Sequence, residues 1–206
     1  MNPTSRNRQR RGRLAVIAVV VSALVVTACG GDRELAGYVR TPAPSLAGIT
    51  LPELTADEAD FEMRADDGRL LVVYFGYTNC PDYCPTTMQD LRVALRSVDA
   101  ADRVDVAMVT VDPERDNPIL ADYVRSFFPD GIALGTTDAE RLARAAQPFG
   151  VSYSVTTDAD GDIQVAHSTQ LFAVDPTGEL LVTWPFGLDR DELAKDIDDL
   201  LEDIPS

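Results

Sequence analysis

The sequence predicts an α/β domain in which a central mixed β-sheet is flanked by helices on both faces. Three observations carry this. Short apolar runs alternate with helical periodicity from Leu70 to Pro148, the rhythm changes to strands and turns after Gly150, and one further amphipathic helix closes the chain. The order reads βαβαβα, then a β-hairpin region, then α, with no internal repeat or low-complexity segment.

Each element has its own signal. Leu70–Phe75 (LLVVYF) is continuously apolar and β-prone, as expected of a strand covered on both faces. A helix fits residues 82–98, with Met88, Leu91, Leu95 and Val98 recurring at helical spacing. Val104, Val106, Met108 and Thr110 alternate with Asp105, Ala107 and Val109 in a second strand. Asn117-Pro118 reads as the N-cap and first residue of a helix whose apolar face is Leu120, Tyr123, Val124 and Phe127. A short strand at Ile132–Leu134 precedes a helix opened by the capping box Thr137…Glu140 and stopped before Pro148. Asp160-Gly161 and Thr177-Gly178 are hairpin signals flanking Ile163–Val165, Leu171–Val174 and Leu180–Trp184. The last helix starts near Asp189 and places Leu193, Ile197, Leu200, Leu201 and Ile204 on one face.

Charge narrows the partners. The 206 residues hold 18 basic and 34 acidic side chains, a net charge of -16, and the sole lysine is Lys195. Nothing in the chain forms a basic stripe, so nucleic acid is not an expected partner. The exception is the N-terminus, where five arginines (Arg6, Arg8, Arg10, Arg11, Arg13) and no acid precede an apolar run from Leu14 to Ala28. These are the two halves of a secretory signal, and the run falls short of the ~20 residues a transmembrane helix needs. It ends in Val26-Thr27-Ala28-Cys29, which resembles a bacterial lipobox. Arg10-Arg11 also raises twin-arginine export, but the residues that follow match that signal poorly.

The expected organisation is therefore a lipoprotein-type signal peptide over 1–28, a lipidated Cys29 with a flexible tether over 29–44, and a domain over 45–206. The expected location is the outer face of the bacterial cytoplasmic membrane, with the lipid bilayer as a partner. Cleavage before Cys29 leaves 13 basic and 34 acidic residues, a net charge of -21. Such a domain gains nothing from anionic lipid and stands off it.

With Cys29 assigned to the anchor, Cys80 and Cys84 remain, in Phe75–Pro85 (FGYTNCPDYCP), between the first strong strand and the first helix. Residues four apart at a helical N-terminus point to one side, and the free N–H groups and helix dipole there favour thiolate. The pair can close a structural disulfide, exchange with another dithiol, or hold a soft metal. The third intervening residue departs from the CxxC redox motif and leaves room for an ion. His167, the only histidine, lies in Gln164–Ser168 (QVAHS), at the junction of two predicted strands after the hairpin turn. Two thiolates and one imidazole make a low-coordinate, soft set suited to Cu(I), with Cu(II) accommodated by an added ligand. A structural zinc site would want a fourth Cys or His, and none is left. Met63, Met88 and Met108 are scattered and do not suggest a methionine-rich site.

Two acidic segments read as structural. Asp112–Asp116 (DPERD) is a charged loop after a strand, placed near the site by this architecture, and its role reads as a solvated turn. Asp158–Asp162 (DADGD) has its glycine misplaced for a calcium loop, and Thr169 stands where the bidentate Glu would be. Peroxiredoxin chemistry is disfavoured because Tyr77 occupies the position where a threonine is expected.

Phe75–Pro85, Val109–Pro118 (VTVDPERDNP) and His167-Ser168 followed by Phe172–Gly178 (FAVDPTG) together resemble the SCO/SenC family, over residues 40–204. The resemblance implies a thioredoxin-like fold with a β-hairpin insertion near the metal site, and Cys80, Cys84 and His167 as copper ligands. It also implies a function: delivering copper to the copper A site of cytochrome c oxidase, or reducing that site's cysteines. The partners implied are the copper A subunit and another copper chaperone or thiol reductant. The alternative is a thiol–disulfide oxidoreductase with Cys80 and Cys84 as its catalytic pair, and a stapled lipoprotein that only binds another membrane protein is a third reading. Two positions depart from the family pattern: Asn79 stands where His is frequent, and Ala166 where Asp is frequent. Neither is a ligand in the family, so binding is expected to survive both changes.

Overall fold

The computed structural model describes residues 34–54 and 59–205; the expected signal peptide and Cys29 lie outside them. In chain order, β1 (Thr50–Pro52) and β2 (Asp60–Glu62) pair as a small antiparallel ribbon. Then come β3 (Leu70–Gly76), α1 (Tyr83–Ala94), β4 (Val104–Thr110), a four-residue α2 (Pro113–Asp116), α3 (Leu120–Phe127), β5 (Ile132–Leu134) and α4 (Ala139–Phe149). A separate hairpin of β6 (Tyr153–Thr157) and β7 (Ile163–His167) follows, then β8 (Leu171–Val174), β9 (Leu180–Trp184) and α5 (Arg190–Asp203).

The main sheet has the order β5-β4-β3-β8-β9; β3, β4 and β5 are parallel, and β8 and β9 are antiparallel to their neighbours. This is the mixed sheet the sequence predicts. Every residue of β3 is buried, because the strand pairs on both edges and is covered on both faces. Its side chains sort by parity: Leu70, Val72 and Tyr74 join Met88 and Leu91 of α1, Leu120 and Val124 of α3, and Leu193 and Ile197 of α5. Leu71, Val73 and Phe75 join Leu142, Ala146 and Phe149 of α4 on the other face. Phe75, Phe149 and Phe172 meet edge to face there, with centroids 5.1 to 6.2 Å apart.

Several boundaries differ from the sequence-based expectation. The helix fitted to 82–98 is α-helical only to Ala94 and tightens into a 3-10 turn over Leu95–Ser97. Asn117 does not cap α3; it follows α2 in helical conformation, and α3 begins at Leu120. The cap of α4 is Asp138, whose carboxylate accepts from Arg141 N–H at 3.0 Å, rather than Thr137. That helix also runs through Pro148 and ends one residue later at Phe149, capped by Gly150 in the left-handed conformation (φ 75°). Proline sits so near the end that only the last turn loses a hydrogen bond. The expected flexible tether over 29–44 is folded onto the domain from Ala36 onward, hydrogen-bonded to α5 and β9. Among the described residues no helix is long and apolar enough to cross a membrane.

Candidate metal centre

Gly76 ends β3 where the chain must pass closest to the site. A Cβ there would meet Tyr74 Cε1 at 2.6 Å, and Cys84 Sγ and Met108 Cε at 3.1 Å, so only glycine fits without movement. The following loop brings Cys80 back over the start of α1, and Cys84 occupies the second position of that helix. The Asp82 side chain makes no capping bond. Instead Cys80 Sγ accepts the N–H of Cys84 at 3.3 Å, so a sulfur takes up one of the free donors of the helix N-terminus.

The loop is pinned from below by α2. Asp116 is fully buried, and its carboxylate accepts from Thr78 N–H (3.0 Å), Thr78 Oγ1 (2.5 Å) and Thr110 Oγ1 (2.6 Å). The neighbouring Asp112 is buried as well and is paired with Arg115. The segment read as a solvated turn is therefore a short helix with Asp112 and Asp116 turned inward and Glu114 exposed. Pro113 at its first helical position was the available signal.

His167 arrives from the other side, as the last residue of β7, opposite Tyr153. Its Nδ1 lies 2.6 Å from the carbonyl oxygen of Ser168, an acceptor, so Nδ1 carries the proton. The lone pair of Nε2 is left pointing at Cys84 Sγ, 3.5 Å away. Tyr77 and Tyr74 stand edge-on to the imidazole, with centroids 5.6 and 6.2 Å from it. The Tyr74 hydroxyl is buried without a hydrogen-bond partner in the protein. A cavity of about 370 Å³ lined by Ser152, Tyr153, Ser154, Ala166 and Ser168 opens beside His167. Asn79 and Ala166, the two departures from the family pattern, are both exposed on the rim.

The two thiols are electrostatically unequal. Burial works to raise the pKa of Cys80, but hydrogen bonds from the N–H groups of Cys84 and Asp82, the Cys84 thiol and Tyr77 outweigh it, and the value lies below normal. Burial pushes Cys84 up to about 12. The helix N-terminus was expected to favour thiolate at both cysteines; only the one outside the helix benefits, because the other is sealed in the core. Burial also lowers the pKa of His167, partly offset by the Ser168 and Phe75 carbonyls, which keeps the imidazole neutral.

The structure thus brings Cys80, Cys84 and His167 together, with their ligand atoms within 4.8 Å of one another. Three such atoms can converge on one soft ion, and the two sulfurs can also exchange with a disulfide. Tyr74 and Thr78 shape the site without having been singled out from the sequence, Tyr77 stands out there only as an argument against peroxiredoxin chemistry, and Asp116 only as part of a charged loop. The Asp158 carboxylate accepts the N–H groups of Asp160 and Asp162 and the Gln164 amide, closing the β6–β7 turn rather than forming a calcium loop.

Known proteins resemble this chain in sequence and in fold. The SCO2 homologue of Bos taurus mitochondria is 36% identical over 191 residues, 85% of this chain and 71% of that protein. Two other curated relatives are matched over 66% and 47% of their own length, so the chain spans about half to two thirds of them. Arabidopsis thaliana ScoI, solved with copper bound, superposes with a TM-score of 0.64 at 27% identity, covering 76% of this chain and 95% of that one. Bradyrhizobium japonicum ScoI, also with copper bound, gives 0.62 at 26% identity, covering 76% and 97%. Residues 53–202 match the SCO1/SenC family across the sheet, the cysteine loop and the histidine hairpin, and the chain belongs to that family.

Proposed function

We propose that this protein is a copper metallochaperone, binding copper through Cys80, Cys84 and His167 and passing it to the copper A subunit of cytochrome c oxidase. The observation that carries the reading is the convergence of two sulfurs and a deprotonated imidazole nitrogen within 4.8 Å. Two thiolates and a neutral imidazole are soft donors in low number, which is the preference of Cu(I). Copper is the cargo: the client's thiolates displace these ligands one at a time, and no electron needs to move. Family membership and the copper-bound relatives support the same reading.

The protein is held at the outer face of the cytoplasmic membrane by lipid on Cys29. Support for this comes from the arginine-rich start, the apolar run to Ala28 and the cysteine placed directly after it.

A second reading, thiol–disulfide exchange, is favoured by the split between the two thiols. Cys80 thiolate would attack a client disulfide, and Cys84 would then release the client with both its thiols reduced, leaving a Cys80–Cys84 disulfide. Copper and free thiol should be titrated together on reduced, anaerobic residues 30–206, with and without His167→Ala. The copper reading expects one copper per chain and loss of tight binding in the variant, while dithiol exchange survives. If the variant held copper as tightly as the parent, the three-ligand site would be wrong.

A further inference from the structure

The N-terminal segment from Ala36 to Leu46 is a strap laid antiparallel along the outer edge of β9. Tyr38 and Thr183 exchange both backbone hydrogen bonds (2.8 and 2.9 Å), Leu180 N–H donates to Pro44 O (2.9 Å), and Leu46 N–H donates to Gly178 O (2.7 Å). Its start is clamped. Asp196 of α5, buried, accepts the N–H groups of Ala36 (3.0 Å) and Gly37 (2.9 Å) together with Trp184 Nε1 (2.8 Å). Gly37 is pressed so closely on β9 that a Cβ would lie 2.3 Å from Val182 Cγ1 and 2.6 Å from Trp184 Cδ1.

The register shows which end of the domain the clamp marks. Tyr38 pairs with Thr183, Thr183 with Phe172, and Phe172 with Val73, so one row crosses the sheet from the strap to β3. Gly37 and Ala36 lie beyond that row in the direction in which β3 runs on to Gly76 and the cysteine loop. Three strand spacings, about 14 Å, separate the strap from β3. The strap then runs away from the site and reaches Ser45, opposite Glu179, beside the far turn at Thr177-Gly178.

We infer that the strap orients the domain on the membrane, presenting the end that carries Cys80, Cys84 and His167 to the bilayer surface. This rests on the lipid anchor at Cys29 proposed above. From Cys29 to Ala36 the chain extends at most roughly 25 Å. A domain of this size is on the order of 40 Å across. The leash is shorter than the domain, so the far turn cannot be turned toward the membrane while the strap stays docked. The partner that fits this orientation is a membrane-bound client whose metal site lies close above the lipid surface, because a freely diffusing client would need no such restriction.

The test uses the full-length lipidated protein on phosphatidylcholine vesicles carrying an acceptor dye on the headgroups. A donor dye is attached through an azide-bearing residue at exposed Phe186, whose ring packs on Tyr83 next to Cys84, or at exposed Thr177 in the far turn. The expected result is energy transfer about twofold or more greater from position 186 than from 177. A 15-residue Gly/Ser insertion after Gly31 lengthens the leash to roughly 75 Å and should abolish the difference. Gly37→Val, which expels the start of the strap, should reduce it. Equal transfer from both positions in the parent protein, or greater transfer from 177, overturns the inference and leaves the anchor standing. If the protein fails to float with vesicles in a density gradient, the anchor reading falls, and the orientation with it.

Discussion

Cys84 Sγ lies 3.5 Å from Nε2 of His167, although 83 residues separate them in the chain. The cysteine is fixed by α1 in the core, and the histidine is carried in by a hairpin that belongs to neither edge of the main sheet. The site is therefore made where a rigid element meets an appended one, and its chemistry depends on both.

Thiol reactivity should be strongly asymmetric. Cys80 has the lowered pKa and Cys84 the raised one, and Cys84 is the more deeply buried. The greater intrinsic nucleophilicity of a high-pKa thiolate offsets only about half of such a difference. In the metal-free, reduced protein near pH 7.5, iodoacetamide should modify Cys80 at least about tenfold faster than Cys84. Peptide mapping by mass spectrometry over a time course measures this; equal rates would contradict the split.

Copper affinity should rise with pH. At pH 7 the Cys84 thiol, at about 12, must give up a whole proton to bind, Cys80, with its lowered pKa, gives up at most one, and neutral His167 gives up none. The apparent dissociation constant should thus fall by about 10- to 100-fold per pH unit near neutrality. Calorimetry in two buffers of different ionisation enthalpy counts the protons released. For His167 the stability sign is opposite to that of a salt-bridged histidine. Its folded pKa lies below 6.5, so the unfolded chain takes up the proton first, and folding stability falls as pH drops below that value.

Asp116→Ala should destabilise the domain by about 2–4 kcal/mol, because Thr78 N–H, Thr78 Oγ1 and Thr110 Oγ1 lose their common acceptor in a buried place. Urea titration gives the loss. Loosening Thr78 also frees the loop ahead of Cys80, so copper binding should weaken in the folded variant.

Gly76→Ala should be costly for so small a change. The added methyl would lie 2.6 Å from Tyr74 Cε1 and 3.1 Å from Cys84 Sγ, inside a packed core. A loss of about 1–3 kcal/mol is expected from overpacking. Copper competition against a chelator should show weaker binding, whereas Gly48→Ala, in open space at the surface, should leave binding unchanged.

Much of this was legible in the sequence. The runs at Leu70–Phe75 and Val104–Thr110 announced central strands because burial on both faces demands uninterrupted apolar side chains. The turns at Asp160-Gly161 and Thr177-Gly178 were readable because their glycines hold φ of 91° and 78°. The caps of α3 and α4 were misplaced by a few residues, since Asn117 and Thr137 are as suitable locally as the positions used. DPERD looked solvated because its charges suit water equally well; only Thr78 and Thr110, brought in from β3's loop and β4, make burial of Asp116 favourable.

By itself the sequence determined the fold class, the order of the elements and the identity of the candidate ligands, since these follow from periodicity and from side chains as scarce as one histidine and three cysteines. The tertiary structure decided which cysteine is the poised thiolate, which histidine nitrogen is free, and where the N-terminal strap enters the domain. Those properties depend on burial and on hydrogen bonds between residues distant in the chain. A thiol pKa is set by the net effect of desolvation and nearby donors, and that balance exists only once the core has closed around Cys84 and left Cys80 at its edge.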